Sequence, residues 1–275
     1  MQQPWYREAG DGPGVVCLHS NASSSSQWRA LMDSLSPRFR VLTPDSYGAG
    51  KSPAWPVTDH TLRAEVDLLE PVFARAGSQH FLVGHSYGGA VALLAAALHP
   101  ERVRGLAVYE PTLFALVDAQ GPPPNGVDGI REVAATAGAA AAAGERDTAA
   151  RIFIDYWMGP GSWAATPDAR KPAIATSVLN VAGWWRALSG DRTPLRAFGA
   201  ISAPVLYMMG GRSPKSAHAV ARVLVPALRN VRVVQFEQLG HMGPITHARV
   251  VNAEIGRLLE ESAGGAPWPA KSSPG

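Results

Sequence analysis

The sequence predicts an α/β fold with a mostly parallel, doubly wound sheet. Short apolar segments bounded by turn residues are typical of strands, and helix-like segments separate them along the chain. Several of these apolar segments are nearly continuous hydrophobic runs, as in "GVVCLHS" and "HFLVGHS". Such runs are expected for parallel strands whose two faces are both covered by helices.

The individual elements follow from the same two patterns, taken in chain order. Strands are predicted in "GVVCLHS", "FRVLTPD", "HFLVGHS", "GLAVYEP", "APVLYMM" and "VRVVQFE". Helices are predicted over residues 25–35, 61–76, 90–99, 216–228 and 247–260. Strand and helix alternate through these segments, as they do in a parallel sheet built from βαβ units.

The alternation stops between residues 111 and 200. This stretch lacks a strand pattern and contains the alanine-rich segment "EVAATAGAAAAAGERDTAARIF" together with several tryptophans. We interpret it as a helical cap inserted into a core of residues 1–110 and 201–261. The Gly-, Pro- and Ser-rich residues 262–275 are predicted to form a flexible tail.

Composition and charge narrow the classes of function. Hydrophobic residues make up 46% of the chain and charged residues 17%, and the net charge is +3 without a run of lysine or arginine, so no nucleic-acid partner is expected. Cys17 is the only cysteine, which excludes an internal disulfide and fits a reducing compartment. No segment resembles a membrane span, a secretory signal or a set of zinc ligands. We therefore expect a cytoplasmic protein that acts on a small molecule without a cofactor or metal, with a homodimer as an open alternative.

The most informative motif is Gly84-His85-Ser86-Tyr87-Gly88, which fits the pattern G-x-S-x-G. A predicted strand precedes it and a predicted helix follows it. A tight strand-to-helix turn requires small residues around its centre, and it exposes the central side chain at the carboxyl edge of the sheet beside a helix N-terminus. Ser86 is therefore predicted to be a nucleophile, and a purely structural Gly-rich turn is the alternative.

With these features in this order, residues 15–259 resemble the α/β-hydrolase superfamily, in its serine hydrolase branch with a helical cap. A serine hydroxyl is a poor nucleophile until a base accepts its proton. The family places a histidine for this purpose in the loop after the last strand. His241 follows "VRVVQF" and Gly240 in that position, so the resemblance implies that His241 is the general base. A solvated surface histidine is the alternative.

The resemblance also implies a site for the negative oxygen of an acyl-transfer transition state, which needs two N–H donors. One is the backbone N–H of Tyr87, directly after the nucleophile. By position the second is the backbone N–H of Asn21, in a loop where Ser20 replaces the family's usual glycine. An ordinary Ser-rich turn that caps the helix near Trp28 is the alternative.

The segment "DSYGAGKS", residues 45–52, is similar to a phosphate-binding loop. That loop requires a glycine where Asp45 stands, and a helix directly after its Lys-Ser pair, where Pro53 and Pro56 disfavour one. The segment instead resembles the D-x-x-G-x-G-x-S turn of the hydrolase family, which is structural. Nucleotide binding is not expected.

The acid that should orient His241 is absent from its usual place. In most of the superfamily it follows the strand that corresponds to "PVLYMM", where this chain has Ser213. Some relatives place the carboxylate one strand earlier, and Glu110 follows "LAVY" there. We predict Glu110 as the acid, because the loops of adjacent parallel strands meet at one sheet edge. Glu237, Asp118 or no acid at all are the alternatives.

Together these assignments predict a serine hydrolase that cleaves a carboxylic ester or lactone through an acyl-enzyme, with Ser86, His241 and Glu110 as the catalytic triad. Aromatic side chains between residues 111 and 200 suggest an apolar substrate pocket or, alternatively, the core of the cap itself. Carbon–carbon bond hydrolysis and cofactor-free perhydrolysis use the same serine and histidine and stay open. A noncatalytic ligand-binding protein is the alternative from another class.

Overall fold

A computed structural model describes residues 2–55 and 61–264 of the chain. Its strands are β1 Tyr6–Ala9, β2 Gly14–Leu18, β3 Arg40–Pro44, β4 His80–His85, β5 Val103–Tyr109, β6 Val205–Gly210 and β7 Val231–Phe236. They form one seven-stranded sheet in the order β1-β3-β2-β4-β5-β6-β7. Strand β1 is antiparallel to β3, and every other neighbouring pair is parallel. The predicted fold class is confirmed. Strand β1 was missed because its short sequence "YREA" is polar and lies at the edge of the sheet.

Helices cover both faces of this sheet. Their bounds are α1 Arg29–Leu35, α2 Leu62–Ala76, α3 Tyr87–Leu98, α4 Phe114–Asp118, α5 Asp128–Ala142, α6 Arg146–Met158, α7 Ser162–Ala165, α8 Lys171–Val178, α9 Val181–Ser189, α10 Leu195–Phe198, α11 Lys215–Ala227, α12 Gly243–Thr246 and α13 Ala248–Ala263. Helices α1 and α13 pack on one face, and α2, α3 and α11 pack on the other. Within the described part of the chain, no helix has both the length and the apolar composition that crossing a bilayer requires.

Two predicted boundaries need correction. Helix α3 begins at Tyr87 rather than residue 90, because the strand-to-helix turn leads straight into it. Helix α13 continues through Ser262 to Ala263, so these two residues are not part of a flexible tail. Its buried face includes Leu258 and Leu259, and a further helical turn follows them. The rest of the predicted tail, from residue 265 onward, lies outside the described residues.

The segment from residue 111 to 200 contains helices α4 to α10 and no strand. The alanine-rich stretch forms two helices, α5 and α6, which are separated at Gly144 with its positive φ of 81°. Trp157, Trp163 and Trp184 are buried, so these side chains contribute to the apolar core of the inserted helices. That this segment forms a cap domain of its own stays a prediction.

The strand order creates a crevice at one edge of the sheet. The chain passes from β2 to β3 on one side and returns on the other side of β2 as β4. Where parallel strands reverse their order in this way, the loops after the strands diverge and leave space for a ligand. The loop that begins with His19 follows β2 and Ser86 follows β4, so both lie at this crevice.

Candidate active site

Ser86 occupies a sharp turn between β4 and α3. Its backbone has φ 56° and ψ −117°, a conformation that non-glycine residues seldom adopt. The turn tolerates no side chain at its flanking glycines: a Cβ on Gly84 would lie 2.5 Å from the Gly88 carbonyl oxygen, and one on Gly88 would lie 2.4 Å from the Leu18 carbonyl oxygen. The spacing of the G-x-S-x-G motif therefore has a steric cause, and the turn directs the Ser86 hydroxyl into the crevice.

His241 lies beside that hydroxyl, in the loop between β7 and α12. Its Nε2 is 2.9 Å from Ser86 Oγ, although 155 residues separate the two in sequence. The loop is held in place by Tyr109, whose hydroxyl donates a 2.8 Å hydrogen bond to the Gly240 carbonyl oxygen. The His241 side chain is 2% exposed, so its contact with Ser86 is shielded from water.

Glu110 completes the series on the other side of the imidazole. Its Oε2 is 2.6 Å from His241 Nδ1, and its Oε1 accepts a 2.7 Å hydrogen bond from the Gly210 N–H. Glu110 directly follows β5 and has a positive φ of 45°, which turns the side chain toward the neighbouring strand β6. A carboxylate that accepts the Nδ1 proton leaves Nε2 free to accept a proton from Ser86.

The other acids considered for this role are engaged elsewhere. Asp118 accepts a 2.7 Å hydrogen bond from Arg131, and Glu237 is exposed and accepts one from Gln235. Ser213 Oγ is buried and has no hydrogen-bond partner among the described residues. The structure thus joins Glu110, and none of the alternative acids, to His241.

Of the two expected oxyanion donors, Tyr87 directly follows Ser86 in the chain, and Asn21 lines the same cavities as Ser86. Tyr87 is the first residue of α3, so its backbone N–H has no acceptor within the helix. Asn21 lies beside Ser86 in the lining of two adjoining cavities. Among the described residues, no acceptor takes the Asn21 N–H. This arrangement is compatible with the predicted pair of donors.

A partly buried hydrogen-bond network, missed in the sequence, ties the loop after β2 to the loop of His241. His85 Nε2 donates to the His241 carbonyl oxygen at 2.8 Å, so its Nδ1 accepts from the Gln27 amide at 3.1 Å. The Oε1 atom of Gln27 in turn accepts 3.0 Å hydrogen bonds from the backbone N–H and the hydroxyl of Ser20. Burial holds the pKa of His85 well below its usual range, which keeps the ring neutral and able to accept. His85 stands inside the motif, but its partners lie far away in sequence.

Trp157 of α6 covers the imidazole. The two ring centroids are 3.9 Å apart at an interplanar angle of 26°, so the rings are stacked. The sequence indicated an aromatic segment here without indicating this contact. The indole face excludes water from one side of His241 and attracts the positive charge of a protonated imidazole.

The segment "DSYGAGKS" is held in its turn by hydrogen bonds to the backbone. The Asp45 carboxylate accepts hydrogen bonds from the backbone N–H groups of Ser25, at 2.6 Å, and Lys51, at 3.0 Å. No helix follows directly over residues 53–55. These contacts give the segment a structural role, as its resemblance to the hydrolase turn implied.

Comparison with known proteins agrees with this architecture. A family model of the alpha/beta hydrolase fold matches residues 13–248. The chain belongs to the α/β-hydrolase family. The resemblance drawn from the motifs around Ser86 and His241 is therefore confirmed at the level of the family.

Individual relatives differ in their chemistry. This α/β hydrolase is similar to a pimeloyl-[acyl-carrier protein] methyl ester esterase of Yersinia enterocolitica, with 35% identity over 107 residues that cover 38% of this chain and 40% of the esterase. It is also similar to a cis-3-alkyl-4-alkyloxetan-2-one decarboxylase of Xanthomonas campestris, with 34% identity over 115 residues that cover 38% of each protein. The matched regions thus span about two fifths of these curated relatives.

Similarity to a solved structure covers more of the chain than these sequence matches do. An α/β hydrolase from Sphaerobacter thermophilus has a TM-score of 0.70 and 27% identity, and the alignment covers 90% of this chain and 95% of that one. The inserted helices as well as the sheet fall largely within the aligned length.

Two cavities meet at Ser86 in this α/β hydrolase. The main cavity has a volume of about 290 Å³, and its lining includes Ser86, His241 and Trp157. A smaller inner cavity of about 30 Å³ is lined mostly by apolar side chains, among them Phe114 and Trp184. A substrate with its reacting carbon at Ser86 has room for a small apolar group on the inner side and a larger group on the outer side.

Glu65 of α2, a buried carboxyl group near Tyr87, should make the stability of the protein depend on pH. Glu65 is fully buried, and its Oε1 lies 3.2 Å from the Tyr47 N–H and 3.4 Å from the Tyr87 hydroxyl. Burial raises its pKa from 4.5 to about 8. Between pH 4.5 and about pH 8, the folded protein therefore keeps this proton, whereas the unfolded chain has lost it. This contribution to stability is complete below pH 4.5 and is lost as the pH rises through about 8.

We expect the free energy of unfolding of the wild type to fall by a few kcal/mol (roughly 2–4) between pH 5 and pH 8 through this group alone. Glu65→Gln replaces the carboxyl group by an amide, whose oxygen can accept the same hydrogen bonds but which does not titrate. The free energy of unfolding of this variant should therefore change less with pH. Urea unfolding at pH 5, 6.5 and 8 measures both, with Glu132→Gln, at an exposed position on α5, as the control. Equal pH slopes in wild type and Glu65→Gln would show that Glu65 is ionised in the folded protein.

Proposed function

We propose that this protein is a serine hydrolase that cleaves a carboxylic ester or lactone through an acyl-enzyme intermediate. The observation that carries the proposal is the continuous hydrogen-bonded series from Ser86 Oγ through His241 to the Glu110 carboxylate, with distances of 2.9 and 2.6 Å. A hydroxyl, an imidazole and a carboxylate in this order are what nucleophilic catalysis at a carbonyl requires.

In the first half of the reaction, Ser86 Oγ attacks the carbonyl carbon and its proton passes to His241 Nε2. Glu110 balances the charge of the imidazolium that forms, and the backbone N–H groups of Asn21 and Tyr87 donate to the developing oxyanion. When the tetrahedral intermediate collapses, the bond to the alcohol oxygen breaks, and His241 returns the proton to that oxygen. The acyl group now forms an ester with Ser86.

In the second half, a water molecule takes the place of the alcohol. His241 accepts one proton from this water while its oxygen attacks the acyl carbon. Collapse of the second intermediate breaks the bond to Ser86 Oγ, which regains its proton from His241. The carboxylic acid leaves, and in the case of a lactone the acid and the alcohol belong to one molecule.

Ester cleavage is supported over the alternatives by two features. The similarity to a methyl ester esterase links this sequence region to ester chemistry. A noncatalytic role was suggested by the missing acid at Ser213, and the Glu110 contact removes that reason. The substrate that we propose is a small molecule, because the main cavity of about 290 Å³ accommodates one.

The proposal is tested by labelling and turnover. We expect a fluorophosphonate probe to label the purified protein at Ser86, as peptide mass spectrometry can establish. We also expect turnover of 4-nitrophenyl acetate and butyrate with a saturable rate, and slower turnover of the octanoate, because the inner cavity is small. An unlabelled Ser86, together with no ester turnover, would contradict the proposed function and favour a ligand-binding protein.

A further inference from the structure

We propose that the preferred substrate carries a carboxylate on the group that occupies the main cavity, and that Arg170 binds this carboxylate. The inference rests on the proposed function and adds a substrate class to it. Arg170 lines the main cavity together with Ser86 and His241. Apart from the imidazole of His241, its guanidinium is the only ionisable side chain among the described residues that line this cavity.

The position of Arg170 is defined by the way three cavities adjoin. The main cavity shares Ser86 and Trp157 with the small inner cavity, so Ser86 is at its inner end. It shares Arg170 and Ile174 with a third, open cavity of about 700 Å³ on the outside. Arg170 therefore lies where the main cavity meets this open cavity, and Ser86 lies where it meets the inner one.

Within residues 2–55 and 61–264, no carboxylate neutralises this arginine. Among the described residues, Arg170 forms no ion pair, and no aspartate or glutamate lines any of the three cavities. The acid nearest in sequence, Asp168, is engaged by Lys171, whose Nζ is 2.8 Å from Asp168 Oδ1. An anionic ligand in the main cavity thus meets a guanidinium free to form paired hydrogen bonds and no opposing charge.

The proposal places the smaller part of the substrate, the acyl group, in the smaller cavity. The inner cavity of about 30 Å³ accepts a short acyl group such as acetyl. The alcohol part then occupies the main cavity, whose lining includes Arg170. A short-chain ester of a hydroxy acid has this arrangement, with the ester at Ser86 and the free carboxylate at Arg170.

The experiment compares 4-acetoxybenzoate with its neutral methyl ester and measures the release of acetate, so that only cleavage of the acetyl ester is counted. The variants are Arg170→Gln and the matched control Arg151→Gln, an exposed arginine on α6 that lines none of the three cavities. We expect Arg170→Gln to lower kcat/KM for the anionic ester about tenfold, mainly through KM, and to leave the neutral ester unchanged. Arg151→Gln should change neither, and Arg170→Glu should reverse the preference. Raising the salt from about 0.05 to 0.5 M should weaken the preference of the wild type.

Binding measured without turnover separates this inference from the proposed function. Calorimetric titration with 4-hydroxybenzoate and with methyl 4-hydroxybenzoate does not require Ser86 to react. We expect Arg170→Gln to raise the Kd of the acid about tenfold and to leave that of the ester unchanged. If the two compounds respond alike to the substitution, the inference is wrong even where esters are hydrolysed. If the binding difference is found but no ester is hydrolysed, the proposed function is wrong and the anion site stands.

Discussion

Replacing Ser86 by alanine should lower kcat for 4-nitrophenyl butyrate by about 10⁴-fold or more, because the atom that forms the acyl-enzyme is removed. The fold should be retained, since alanine is smaller than serine and the Ser86 hydroxyl has His241 as its only described side-chain partner. Steady-state kinetics together with fluorophosphonate labelling measure the effect. The variant should also be unreactive toward the probe.

The control for this change is Ser34→Ala, an exposed serine on α1 whose hydroxyl donates to the carbonyl oxygen of Leu31. We expect its kinetics to match the wild type. Near-normal turnover by Ser86→Ala would mean that another group attacks the substrate or that water attacks it directly. The acyl-enzyme mechanism would then have to be abandoned.

Replacing Glu110 by glutamine should lower kcat by about 10³- to 10⁴-fold. The glutamine amide can donate a hydrogen bond to Nδ1 of His241, which places the imidazole proton on Nε2. In that tautomer Nε2 cannot accept the proton of Ser86. The positive charge that forms on His241 also loses its balancing carboxylate. Kinetics and thermal unfolding, measured side by side, test this prediction.

Two controls come from the acids that the sequence left open. Glu237→Gln and Asp118→Asn should keep kcat within about threefold of the wild type, because neither side chain has a contact with His241. The unfolding temperature of Glu110→Gln should stay close to that of the wild type, since the glutamine oxygen can still accept from the Gly210 N–H. A Glu110→Gln protein with normal turnover would show that His241 needs no carboxylate at this position.

A second substitution examines why Ser213 is not the acid. Ser213 Oγ lies close to Gly210, since a Cβ on that glycine would be 2.9 Å from it. Gly210 is also the residue that holds Glu110 Oε1. Aspartate at position 213 would therefore place a carboxylate next to the one it replaces. We expect the double variant Glu110→Gln, Ser213→Asp to regain part of the lost rate.

The parts of the site that depend on local geometry could be predicted from the sequence. The turn at Ser86 needs glycine at positions 84 and 88, because the backbone of neighbouring residues fills the space that a Cβ would take. Such a requirement involves only a few consecutive residues, so it can be recognised as a sequence motif. The strands could be predicted for a similar reason, since burial on both faces leaves hydrophobic runs such as "VVCL".

The parts that depend on distant contacts could not be predicted in full. His85 and Gln27 are 58 residues apart, and their hydrogen bond depends on how the loop after β2 packs beside β4. The stacking of Trp157 on His241 depends on where α6 lies relative to the last loop of the sheet. Periodicity and turn residues carry no information on such distances.

By itself, the sequence determined the fold class, the position of Ser86 in a strained turn and the presence of a histidine after the last strand. Only the tertiary structure decided which acid contacts that histidine, because Glu110 and His241 are 131 residues apart and meet through the alignment of β5, β6 and β7. It also placed Arg170 and Ser86 in the lining of one cavity. The physical reason is that steric limits on a turn act between neighbouring residues, whereas a hydrogen bond or a shared cavity depends on where the whole chain folds.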